Sequence, residues 1–108
     1  MDPMLAPNIA LSFGAAAILH AIAGGSGFGF DIMQATGLTS GTVYPALERL
    51  EAHGLLKSRW EDTADAHAAG RPARRYFTLT ASGATALRAA LAKYRALRPL
   101  PGFAPETA

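Results

Sequence analysis

Residues 38–57, LTSGTVYPALERLEAHGLLK, read as one helix with a marked start, a buried stripe, a polar face and a glycine stop. Thr39 and Ser40 stand just ahead of an apolar-periodic run, where a hydroxyl can accept from an unpaired amide of the first turn. Val43, Ala46, Leu47 and Leu50 recur at spacings of three and four and share the face that must be buried. Thr42, Glu48, Arg49 and Ala52 fall opposite. Gly54 supplies a left-handed stop, and Leu55-Leu56-Lys57 begins an extended segment. Pro45 lacks the amide that would bond the Gly41 carbonyl, which in a helix interior costs about 3 kcal/mol. The start of this helix therefore presents small residues, free amides and one unpaired carbonyl, a surface suited to close approach by an anion. The plainer alternative is that Thr39, Ser40 and Tyr44 only cap and pack.

Upstream, prolines at 3 and 7 make residues 1–8 a flexible arm, and Asn8 is the expected cap of a helix over 9–23. The apolar residues Leu11, Phe13, Ala15, Ile18, Leu19 and Ile22 cover more than one stripe, which predicts neighbours on two sides and hints at a subunit contact. No charge occurs between Asp2 and Asp31, so a secretory signal is the rival reading. Asp2 stands where such a signal needs positive charge, and the apolar run is too short to span a bilayer, so a core helix is expected. Gly24-Gly25-Ser26-Gly27 breaks it. Phe28 to Ala35 gives a short second helix, and Thr36-Gly37-Leu38 is a tight connection into the central one. Two helices joined in this way make a helix-turn-helix.

Downstream the period changes. Leu56, Ser58 and Trp60 alternate with Lys57, Arg59 and Glu61, which predicts a strand, and Arg75 to Leu79 predicts another. Residues 62–72, rich in Asp, Ala and Gly, are expected to form a long mobile hairpin tip. Trp60 is expected in the core beneath the hairpin, since burial of an indole is sufficient reason for its presence. Thr80 caps a last helix to about Leu97, with Ala84, Leu87, Leu91 and Tyr94 on one face. Pro99 and Pro101 end it, and 99–108 is expected to be a disordered tail. Helix, short helix, capped helix, hairpin, helix is the order of a winged helix-turn-helix. In that architecture the central helix enters the major groove and the hairpin reaches the adjacent backbone or minor groove.

At 108 residues with half of them apolar, the chain is one domain with one core. A net charge of +2 is too small to argue for nucleic acid by itself, so the distribution of charge matters more. Arg71, Arg74 and Arg75 sit together with no acid between them, while Glu61, Asp62 and Asp65 cluster apart. Cysteine is absent, which rules out thiol chemistry and fits a reducing, cytoplasmic setting. His20, His53 and His67 stand on different elements without acids at ligand spacing, so no metal or other cofactor is expected. Gly24 to Phe30 misses both the nucleophile-elbow and the dinucleotide patterns, and no acid, base and nucleophile are arranged to cooperate, so an enzyme is not expected.

Several segments taken together resemble the PadR family of transcriptional regulators. They are Gly29-Phe30-Asp31-Ile32, Thr39 to Leu47, Arg49-Leu50-Glu51, Gly54-Leu55-Leu56, Ser58-Arg59-Trp60-Glu61, Gly70 to Phe77 and Leu79 to Gly83. Gly41-Thr42-Val43-Tyr44-Pro45-Ala46-Leu47 and Gly70-Arg71-Pro72-Ala73-Arg74-Arg75-Tyr76 at this separation are the most specific pair. Phe28 stands where the family often carries a histidine, and Ser40 where it often carries a proline. The resemblance implies a fold mainly α with a small β-hairpin, a winged helix-turn-helix over 9–80 and a C-terminal dimerisation helix over 81–98. It implies a homodimeric repressor whose first and last helices build the subunit contact, here through Leu11, Phe13, Ile18, Leu87, Leu91 and Tyr94. In several members a small aromatic or planar ligand releases the DNA.

The expected contacts follow. Thr39, Ser40, Gly41, Thr42, Tyr44 and Arg49 are the candidate DNA-binding residues of the central helix. Lys57, Arg71, Arg74 and Arg75 are those of the wing and its flank, because guanidinium forks match phosphate oxygens. Arg49 could equally pair with Glu48 or Glu51. The expected partner is double-stranded DNA carrying an inverted repeat. The alternative is a winged-helix protein-interaction module that binds no DNA.

Overall fold

The computed structural model describes residues 11–97. The first helix, α1 (Phe13–Ala23), starts where Ser12 turns extended and its hydroxyl accepts from the Ala15 amide at 3.1 Å. Asn8, the arm and the tail lie outside the described residues. Leu11 and Ser12 precede the helix, so α1 begins later than its apolar content suggests: the hydroxyl at 12, not the first apolar residue, sets the start. Ala16, Ile18, Leu19 and Ile22 are buried, and α1 packs on the second helix, the central helix, the last helix and the second strand.

The second helix, α2 (Gly29–Thr36), buries Ile32 and ends at Gly37, whose φ of +76° is left-handed and whose amide donates to the Met33 carbonyl. Phe30 points outward, 60 % exposed. The central helix, α3 (Ser40–Ala52), buries Val43, Ala46, Leu47 and Leu50, the stripe its spacing predicts. The expected hydroxyl cap does not form. The backbone carbonyl of Thr39 takes the amides of Thr42 and Val43, while its hydroxyl turns toward that of Thr42 at 3.5 Å. At the other end Gly54 has φ +76°, its amide bonds the Glu51 carbonyl and the Leu55 amide bonds the Leu50 carbonyl. That pair of bonds is a Schellman closure, which reverses the chain into the hairpin.

Strands β1 (Leu56–Trp60) and β2 (Arg75–Leu79) pair antiparallel, with Leu56 opposite Leu79 and Trp60 opposite Arg75. Phe28 bridges to Tyr76, and the Phe77 amide donates to the Gly27 carbonyl at 2.7 Å, so the entry to α2 lies along the hairpin edge. Two expectations fail here. The segment between the strands is an ordered turn of helix, α4 (Thr63–Ala68), because Asp62 accepts from the amides of Ala64 and Asp65 and Ala66 is buried. Trp60 is 66 % exposed rather than core: it stands at the end of β1 that pairs with Arg75 and lines an open cleft instead of the packed interior.

The last helix, α5 (Ala81–Leu97), is capped as expected: Thr80 Oγ1 accepts the Gly83 amide at 3.0 Å. The same hydroxyl donates to the Gly54 carbonyl at 2.6 Å, which ties the cap of α5 to the stop of α3. A Cβ at Gly83 would collide with the Leu55 carbonyl, so the glycine lets α5 cross the α3–β1 junction at backbone contact. The result is one apolar core drawn from α1, α2, α3, both strands and α5.

Candidate nucleic-acid interface

On α3 the apolar stripe is so strictly periodic that the remaining residues have no choice but to face outward. Thr39, Ser40, Gly41, Thr42, Tyr44, Pro45, Glu48 and Arg49 are all exposed. Tyr44 is 49 % exposed, with its hydroxyl end so close to Gly29 that a Cβ there would collide with it. The glycine at the start of α2 thus lets the two helices of the helix-turn-helix approach. The Arg49 side chain makes no ion pair among the described residues, because Glu48 and Glu51 are taken by another cation.

The wing departs from expectation. Arg71 makes a two-pronged pair with Glu61, Nη1 to Oε1 at 2.5 Å and Nη2 to Oε2 at 2.8 Å. That guanidinium, helped by the Arg74 amide, holds the Glu61 carboxyl well below its ordinary 4.5, at about 2, and Arg71 is itself raised. Arg75 is held by Glu48 and Glu51. Arg74 has no carboxylate within ion-pair distance among the described residues and lies 4.0 Å from the centre of the Phe28 ring. The three arginines are therefore not one open cationic patch: acids distant in sequence are folded among them. Lys57 and Arg59 lie on the opposite face of the hairpin from Ser58 and are exposed, with Arg59 at 5.1 Å from the centre of the Tyr76 ring. Spacing could not reveal Glu48, Glu51, Ser58 and Glu61 as partners, since no local period links them to the arginines.

Between α3, the start of α2 and the wing lies a cleft of about 490 Å³, lined by Phe28, Phe30, Tyr44, Trp60, Phe77 and the arginines. Of the expected subunit-contact residues, Ile18 is wholly buried, and Leu11 and Leu87 are 8 % and 6 % exposed. These three are enclosed by the chain's own core and leave little surface for a second chain. Phe13, 38 % exposed, and the partly buried Leu91 and Tyr94 retain surface. Phe13 meets Tyr94 edge to face, and the Tyr94 hydroxyl donates to the Leu11 carbonyl, so α1 and α5 are joined at this end. Among the described residues no helix is long and apolar enough to cross a membrane, and no three His, Cys, Asp or Glu residues cluster to hold a metal.

No curated protein sequence matches the chain. Its fold is similar to that of a PadR family transcription regulator from Clostridium difficile, 23 % identical, with TM-score 0.70 over 81 % of this chain and 92 % of that one. A PadR-like transcription factor from Bacteroides fragilis is 26 % identical, with TM-score 0.65 over 77 % and 81 %. A zinc-responsive MarR family member from Lactococcus lactis, 19 % identical, aligns over 83 % of this chain and 62 % of that one with TM-score 0.59, so the winged-helix frame alone is not diagnostic. The sequence itself matches the transcriptional regulator PadR-like family over residues 18–89, which takes in all of α2, α3 and the hairpin. The chain belongs to the PadR-like family of transcriptional regulators.

Proposed function

We propose that the chain is a homodimeric, sequence-specific repressor that binds an inverted repeat in double-stranded DNA. The observation that carries this reading is the outward surface of α3: Ser40, Gly41, Thr42 and Tyr44 are exposed near its start, and Arg49, about two turns beyond Thr42, has no ion-pair partner among the described residues. Thr42 and Arg49 would approach base edges, while Thr39, Ser40, Gly41 and Tyr44 would hold the backbone. Phosphate contacts are assigned to Lys57, Arg59 and Arg74, cations of the hairpin that make no ion pair among the described residues. Two copies would meet through the face of Phe13, Leu91 and Tyr94. A small aromatic effector would find a ring-lined space in the cleft beside Tyr44 and Trp60.

Selection of bound duplexes from a random pool tests the reading. An enriched inverted repeat with half-sites about 34 to 36 Å apart is expected. Changing Thr42 or Arg49 should then alter the enriched sequence. A folded chain that enriches nothing at low salt would overturn the reading. It would favour the alternative of a protein-interaction module, to which the exposed Phe30, Tyr44 and Trp60 lend support.

A further inference from the structure

Arg75 starts β2, yet three of its donors are spent inside the molecule. Nε donates to Ser58 Oγ at 3.1 Å, Nη1 to Glu48 Oε2 at 3.1 Å and Nη2 to Glu51 Oε1 at 2.5 Å. Ser58 Oγ donates in turn to the second Glu51 oxygen at 2.7 Å. One guanidinium thus joins α3, β1 and β2. The arginine and Glu51 side chains are 28 % and 29 % exposed, whereas Glu48 is 67 % exposed. Glu48 also shares its side of α3 with Gly41, Pro45 and Ala52, all of them exposed, so it lies on the outward stripe of the helix that the proposed function brings to DNA.

A carboxylate on that stripe repels phosphates, and a second at Glu51 adds to the effect. Were Arg75 to leave the network for a phosphate, it would strand both carboxylates beside the DNA, and Glu51 would lose a partner already made. We infer that Arg75 makes no phosphate contact and is a positioning residue: it acts through Glu48 and Glu51, holding them and cancelling charge on the face of α3 that meets DNA. This rests on the DNA-binding reading above. Two carboxylates and one guanidinium leave the network one negative charge; without the arginine it carries two, and with all three neutralised none.

The test measures duplex affinity at low salt for Arg75→Gln, for Glu48→Gln/Glu51→Gln and for the triple variant, with circular dichroism to confirm folding. Arg75→Gln should bind at least about tenfold more weakly than wild type, a loss of charge complementarity at close range. The triple variant should return to within about threefold of wild type, because no uncovered acid remains. An Arg75→Gln chain as tight as wild type, or a triple variant as weak as Arg75→Gln, overturns the inference; the latter is the result of a lost phosphate contact. Should Arg75→Gln not fold, Glu48→Gln/Glu51→Gln decides: binding at least as tight as wild type supports the inference, and weaker binding overturns it. A wild-type chain silent on every duplex overturns the DNA-binding reading and this inference with it, whereas wild-type binding with an unrescued triple overturns this inference alone.

Discussion

Glu61 holds its proton less tightly than an ordinary carboxylate because both of its oxygens receive the Arg71 guanidinium and one also receives the Arg74 amide. Its value in the folded chain is about 2, below the ordinary 4.5 of the unfolded one, so the unfolded state binds the proton first. The stability this contributes is complete above the unfolded value and drains away as pH falls through the folded one. The thermal midpoint of wild type should therefore decline on acidification between about pH 5 and about pH 2, and that of Glu61→Gln should decline less. Equal declines would show that the pair does not hold the wing. At the same scale, Trp60 shows the limit of residue-type reasoning. Large apolar side chains are usually buried, but this one lines an open cleft.

At the scale of elements, stops and caps do most of the placing. Gly54 ends α3, Thr80 starts α5, and one hydroxyl bonds the two together, so the junction is closed by short-range chemistry. The same rule explains α4. Asp62 accepts two amides of its first turn, which converts a composition typical of a loop into an ordered helical turn. Asp62→Ala should fray α4 at a cost of about 0.5 to 2 kcal/mol, read as faster amide exchange over residues 64–68 with little change in α1 or α5. If those amides kept their protection, the cap would not be what orders the turn.

At the scale of the whole molecule, α1 and α5 lie together, joined by Phe13 on Tyr94 and by Tyr94 to the Leu11 carbonyl, with part of Phe13 left at the surface. The proposed homodimer would use this face, and Phe13→Glu tests it. An acid in the first turn of a helix is favoured by the helix dipole, so the fold should stand while the apolar contact gains a charge. Sedimentation should then show a monomer, with binding to an inverted repeat weakened by at least about tenfold because the two halves no longer bind as one. A Phe13→Glu chain that sedimented as a dimer would place the contact elsewhere. Ile18, Leu11 and Leu87 are buried within the chain itself: apolar residues on two sides of a helix need not mean a second chain, since α1 finds α2, α3, α5 and β2 within its own.

What the sequence by itself determined is the set of elements other than α4, and their order. The buried stripe of α3, the Gly54 stop, the Thr80 cap, the two strands and the helix-turn-helix spacing all rest on interactions within a few residues, which sequence displays directly. The tertiary structure alone decided which charges meet. Arg71 finds Glu61 ten positions away, and Arg75 finds Glu51 and Glu48 at separations of 24 and 27, leaving Arg49 without an acid among the described residues. Such pairings depend on how the hairpin crosses α3, and no spacing along the chain encodes that angle, because it is set by packing in the core.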